Sequence, residues 1–229
     1  LNSYTLTVAK IGNSTGTVTS NPPGIDCGVD CTESYLATTP VVLTAVPDAN
    51  TTFAGWSGAG CTGTGTCTIT IGAAPAVVTA TFNTNRYGLT ATKAGNGTGA
   101  VTSAPAGISC VATCATQTAQ FDHGTAVTLT ANPAANAAFA GWSGGGCAGT
   151  GPCMTTLTAA TTVIATFTLN SYPLTIAKIG TSTGTVSSNP PGIDCGLDCT
   201  EVYLATTPVV LTAVPDANTT FTGWSTGCT

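Results

Sequence analysis

Serines in glycine frames, a single histidine, clustered carboxylates and spaced cysteines are the residues of this sequence that could do chemistry. GWSGG at Gly141 and GWSTG at Gly223 satisfy G-x-S-x-G, the frame that presents a nucleophilic serine on a strand-to-helix turn. The first copy of the segment has Ala59 at the last glycine, and no helical pattern follows any copy. A serine nucleophile also needs a base. The one histidine, His123, lies in a loop-like FDHG found in one copy of three, so a Ser–His–acid hydrolase is not expected. GAGCTG at Gly58 and GGGCAG at Gly144 satisfy G-x-G-x-x-G, but in a cysteine-bounded hairpin without the strand-to-helix context that cradles a dinucleotide. No catalytic residue and no cofactor are expected.

Asp26, Asp30 and Glu33 cluster around one pair of cysteines, and Asp194, Asp198 and Glu201 repeat the cluster. Such hard oxygen ligands could form a weak calcium site. The corresponding positions between them in the chain are Ser109, Thr113 and Thr116, so the fold does not need a metal there; solvated turn carboxylates are the simpler reading. The 11 cysteines fall into C-x3-C (Cys27 and Cys31; Cys110 and Cys114; Cys195 and Cys199) and C-x5-C (Cys61 and Cys67; Cys147 and Cys153), with Cys228 left over. Zinc knuckles fit only the first spacing and no histidine assists, while redox catalysis prefers C-x-x-C beside a βαβ unit. Four cysteines allow three connectivities. The local pairs Cys27–Cys31, Cys61–Cys67, Cys110–Cys114, Cys147–Cys153 and Cys195–Cys199 are favoured, because a run such as TGTGT suits a hairpin tip whose flanks face each other at disulfide distance. Each so short a loop adds about 2 kcal/mol.

The elements that position these residues are set by a repeat. LNSYTLTVAKIG at Leu1 returns as LNSYPLTIAKIG at Leu169, and residues 1–57 match 169–225 at all but seven positions. A diverged copy lies between, anchored by Tyr87, Cys110, Cys114 and the F-x-G-W-S at Phe139. Solenoid units are shorter than this repeat and cannot bury a core alone, so separate small modules are expected at 1–83, 84–168 and 169–229. The third stops at Thr229, where the first still has two strands and a cysteine to come. The expectation is a piece of a longer array with Cys228 deprived of its partner, which a native mass of 22.4 kDa would contradict.

Within a module the pattern has period two. Tyr4, Leu6 and Val8 alternate with Thr5, Thr7 and Ala9, the mark of a half-buried strand. Similar runs follow at TGTVTS, PVVLTAVP, TTFAGWS, TCTITIG and AVVTATF, with breaks at SNPPG, VPDAN and IGAAP. CTESYLATT is long enough for one helical turn. Trp56, Trp142 and Trp224 occupy one position of F-x-G-W-S and are expected in the core, the preceding glycine letting the ring lie close to the backbone. Four residues, Asn83 to Arg86, separate the last strand of the first module from Tyr87, too few for much freedom. The fold class is all-β: tandem small antiparallel modules, disulfide-bonded beads on a string.

Lys plus Arg number 4 and Asp plus Glu 9, only 6% charged with a net charge of −5. Nucleic acid and anionic membranes are bound through cations, so neither is an expected partner. No apolar run is long enough for membrane insertion. Cysteine use points to an oxidising place, extracellular or at the cell surface.

The order Y-x-L-x-V, G-x-V-x-S-x-P-x-G-I-x-C-x-x-x-C, V-x-L-x-A-x-P, F-x-G-W-S, C-x-G-x-G-x-C and a closing A-T-F resembles the divergent internalin-type B-repeat modules of bacterial surface and secreted proteins. The first strand departs most, as YGLTA and YPLTI in the later copies. The resemblance implies an extracellular β module, β-grasp-like or sandwich-like, serving as stalk or adhesive segment without catalytic residues. Three functions are then open: a stiff spacer, a self-assembling fibre, or an adhesin that recognises glycan or protein through exposed loops. The charge count favours the fibre, since residues 49–85 carry no charge to guard strand edges. Partners are then other copies or neighbouring modules. Attached sugar is the other account of so neutral a surface, and Asn13, Asn50, Asn96 and Asn218 begin N-x-S/T sequons.

Overall fold

The computed structural model describes every residue except Leu1, Thr226 and Thr229. Among the described residues the chain is all-β, in small sheets along the sequence. The first repeat supplies β1 (Ser3–Ile11), β2 (Gly16–Asn21), β3 (Thr32–Leu36), β4 (Pro40–Pro47), β5 (Thr51–Ser57), β6 (Cys67–Thr70) and β7 (Ala76–Thr84). The second supplies β8 (Arg86–Ala94), β9 (Gly99–Ala104), β10 (Ser109–Cys110), β11 (Thr116–Asp122), β12 (Ala126–Pro133), β13 (Ala137–Ser143), β14 (Cys153–Thr156) and β15 (Thr161–Leu169). In the third are β16 (Ser171–Thr175), β17 (Gly184–Asn189), β18 (Thr200–Leu204) and β19 (Val210–Pro215).

The first repeat folds into two sheets, ordered β3-β1-β7-β5 and β2-β4-β6. Alternation along each strand turns one face inward, so Leu6 and Val8 of β1, Val18 of β2, Leu43 of β4 and Phe82 of β7 meet in one core. The second repeat copies the plan with β11-β8-β15-β13 and β10-β9-β12-β14. Most neighbours are antiparallel, but the first and last long strands of each repeat run parallel: Leu6 lies opposite Ala76 in the first, Leu89 opposite Thr161 in the second. Parallel strands need a long crossover, and the intervening strands of the repeat provide it.

CTESYLATT forms no helical turn. It is strand β3, with Tyr35 opposite Tyr4 of β1. Only an extended chain lets Tyr35 bury its ring and bring its hydroxyl to 2.7 Å from Ser20 Oγ. The glycine before Trp56 and the one before Trp142 each sit at a β-bulge: Gly55 has φ +138°, and a Cβ there would lie 3.0 Å from the Gly63 carbonyl oxygen. That bulge aims Trp56 inward, where its indole N–H donates to Gly65 O at 2.6 Å; Trp142 donates likewise to Gly151 O at 2.7 Å.

Trp224 departs from the expectation of a core position. Trp56 and Trp142 are each 5% exposed, whereas Trp224 is 38% exposed and its ring partner Phe221 42%. In the first repeat Phe53 stacks on both Trp56 and Phe82, which seals the indole under β7; among the described residues no strand does so for Trp224. The third repeat consists of the pairs β16-β18 and β17-β19 around a small core of Val186, Ile193 and Cys195.

By its contacts the chain divides into two compact units. One is Leu1–Gly88 with Gln120–Thr125 and Thr156–Ala160; the other is Leu89–Ala119, Ala126–Thr155 and Thr161–Thr229.

Candidate functional site

Two kinds of place gather the polar groups: the cysteine-closed turns and the joints where one repeat passes into the next. In the structure the bonded pairs are Cys27–Cys31, Cys61–Cys67, Cys110–Cys114, Cys147–Cys153 and Cys195–Cys199, with Cα separations of 4.2 to 5.6 Å, and Cys228 is free and exposed. The C-x3-C turn is tightly wound: the amides of Gly28, Val29 and Asp30 all donate to Asp26 O, and those of Gly196, Leu197 and Asp198 to Asp194 O. The carboxylates serve the turn locally. Asp30 Oδ1 accepts from the amide and hydroxyl of Thr32, Glu33 Oε1 from the Ser34 amide, Asp198 Oδ1 from the Thr200 amide and Glu201 Oε1 from the Val202 amide. Among the described residues no three His, Cys, Asp or Glu side chains gather to hold a metal ion.

The glycine-framed serines end strands β5 and β13 at exposed positions, and Ser225 follows no strand. His123 packs edge-on against Tyr87, ring centroids 5.9 Å apart, and its Nδ1 is buried without a hydrogen-bond partner among the described residues. It stands at a joint.

That joint is one residue long. Strand β7 ends at Thr84 and β8 begins at Arg86, so the four-residue connection read from the sequence shrinks to Asn85. Its amide donates to Asn50 O at 2.9 Å, its carbonyl accepts from the His123 amide at 2.7 Å, and its side-chain oxygen accepts from Thr52 Oγ1 at 2.5 Å. Asn170 is the same joint between the second and third repeats: its amide donates to Asn136 O at 2.9 Å and its carbonyl accepts from the Ala205 amide at 2.7 Å. Both backbone groups of the connecting residue are thus held, one on each side, as a strand residue's would be.

A second asparagine clasps each joint. Asn13 Oδ1 accepts from the Thr84 amide at 2.9 Å, and Asn96 Oδ1 from the Leu169 amide at 3.0 Å. Asn13 Nδ2 also donates to Asp122, whose carboxylate pairs with Arg86 at 3.2 Å. That ion pair is 60% and 45% exposed and contributes at most about 1 kcal/mol. The clasps were read from the sequence as sequons; the signal for their other role is that both stand in the β1–β2 or β8–β9 turn beside the end of the repeat.

The cations are equally structural. Lys10, Lys93 and Lys178 donate to Gly16 O, Gly99 O and Gly184 O, each at 2.9 Å, a K-x5-G spacing visible in the sequence but not used. Lys93 also reaches Val111 O and Ala112 O, and burial lowers its pKa from the ordinary value. With Arg86 donating to Gln120 O, all four cations are engaged with backbone carbonyls.

Residues 4–86 and 87–171 each match the model of the divergent InlB B-repeat domain, and the change from one match to the next falls beside Asn85. The chain belongs to the divergent InlB B-repeat family. Among solved structures, the TIE protein of Bacillus anthracis superposes on 93% of this chain with a TM-score of 0.51 at 10% identity, a likeness of fold alone. The chain spans 43% of that structure's length. A minor pilin of Streptococcus agalactiae (7% identity, 78% of this chain and 99% of the pilin, TM-score 0.27) and a major pilin of Streptococcus pyogenes (10%, 74% and 98%, 0.32) align too loosely to carry an argument. No curated protein matches the chain. Among the described residues no helix of this B-repeat chain is long and apolar enough to cross a membrane.

Proposed function

We propose that this chain is a non-enzymatic structural array on the outside of a bacterial cell, built of modules 1–83, 84–168 and 169–229 and used as a stiff stalk or as the subunit of a fibre. The observation that carries the reading is the one-residue joint with both backbone groups bonded, which a flexible linker would leave to solvent. Five disulfides suit an oxidising exterior, and a surface with 6% charged residues suits lateral packing or a coat of sugar. Non-reducing peptide mapping of the native protein is expected to return the five local pairs; a Cys27–Cys61 linkage contradicts them.

One observation favours a second reading, recognition through loops. Val29 and Leu197 project from the tips of their disulfide-closed turns, each 94% exposed, in the manner of a small apolar contact on a rigid mount. Electron microscopy of the native material separates the readings. Uniform rods or ordered filaments are expected. Compact particles that neither extend nor assemble, yet hold a defined ligand, would replace the structural reading with the adhesin.

A further inference from the structure

Four asparagines stand in N-x-S/T frames, and the fold treats them in two ways. Asn13 and Asn96 are spent: their Oδ1 atoms hold the Thr84 and Leu169 amides at the joints, and Asn13 Nδ2 also donates to Asp122. Asn50 and Asn218 are exposed, and among the described residues neither carboxamide makes a hydrogen bond. Both occupy the same place in a tight turn. The Thr51 amide donates to Asp48 O at 3.2 Å and the Thr219 amide to Asp216 O at 3.1 Å, so each asparagine is the third residue of a four-residue turn, with φ of +61° and +63°.

A second feature separates the same two pairs. Asp48 precedes Asn50 by two residues and Asp216 precedes Asn218 by two, both exposed, whereas Ile11 and Ala94 hold that place before Asn13 and Asn96. Thr52 and Thr220 complete the D-x-N-x-T runs. The second repeat has the corresponding turn, closed by the Ala137 amide on Ala134 O at 3.0 Å, but there the run is Ala134, Asn136 and Ala138, with neither acid nor hydroxyl. After Asp48 no acidic residue follows until Asp122, so Asp48 is the only handle by which a cationic protein surface could grip this stretch. Its Oδ2 accepts from Thr15 Oγ1 at 2.6 Å, which fixes the carboxylate beside the turn.

We propose that Asn50 and Asn218 are N-glycosylation sites, each taking an oligosaccharide from a transferase whose cationic subsite reads the aspartate two residues before. Nδ2 bonds to C1 of the sugar as the C1–O bond to a polyprenyl diphosphate breaks; the diphosphate leaves with the electron pair, and a base of the transferase takes the Nδ2 proton. In the closed joint Thr52 Oγ1 donates to Asn85 Oδ1 and the Asn50 carbonyl accepts from the Asn85 amide, so the sugar is added before the joint closes. The closed fold then carries it in solvent at the turn, where a bulky polar group covers a surface short of charge. Sugar on Asn13 or Asn96 would crowd a joint instead. The proposal rests on the exterior location of the structural reading and makes its coat of sugar specific.

The test is mass mapping of peptides from the native protein, with sugar expected on Asn50 and Asn218 and none on Asn13 or Asn96. In the producing cells Asp48→Asn, which keeps an oxygen for Thr15 and removes the charge, should lower occupancy at Asn50 at least about tenfold, while Asp48→Glu keeps it. Chain that lacks sugar should accept it from the transferase when reduced and unfolded, and at least about tenfold more slowly when folded. Bare Asn50 and Asn218 in the native protein, equal sugar on Asn13 and Asn96, or occupancy indifferent to Asp48→Asn would overturn the proposal. Rods with bare asparagines would leave the array standing without it, and compact ligand-binding particles with sugar on Asn50 would keep the sites and remove the array.

Discussion

At the residue scale, what a side chain does here is decided by how close its neighbours come. Gly16 is glycine because the Phe82 ring occupies the space of a side chain, so Gly16→Ala should cost at least about 2 kcal/mol of stability in denaturant unfolding. Gly65 has nothing within 4 Å, and Gly65→Ala should leave the midpoint nearly unchanged. Equal effects would mean that the ring does not seat as described. The inward positions Leu6 and Val8 were legible from alternation, since period two assigns a face. Trp224 was not. Its position in the repeat equals that of Trp56, but burial belongs to the strand laid across it rather than to the residue.

At the element scale, the sequence was informative about strands and silent about partners. Alternation in β1 says which face is apolar, and nothing local says that the strand beside it is β7, some 70 residues on and parallel. Tyr35 shows the same limit: the short CTESYLATT carried no clear period, and only pairing with β1 makes it extended. The asparagine clasps are likewise long-range, Asn13 holding an amide 71 residues away. Asn13→Ala should therefore speed hydrogen exchange at the Thr84 amide and lower stability by about 1 kcal/mol, while strands β2 and β4 keep their protection. Unchanged exchange at Thr84 would remove Asn13 from the joint.

At the scale of the whole molecule, the few charges acquire a common explanation. Lys10, Lys93, Lys178 and Arg86 each bind a backbone carbonyl, so all four cations serve the fold. Repetition was plain in the sequence; how one repeat is fastened to the next was not, because the fastening is made by the backbone of a single residue and by an asparagine side chain far away in the sequence. The central claim is that these fastenings are rigid, and backbone amide relaxation of the isotope-labelled chain tests it most directly. Order parameters at Asn85 and Asn170 of about 0.85, equal to those of the flanking strands, are expected; values below about 0.6 at either residue would show a hinge and contradict the account.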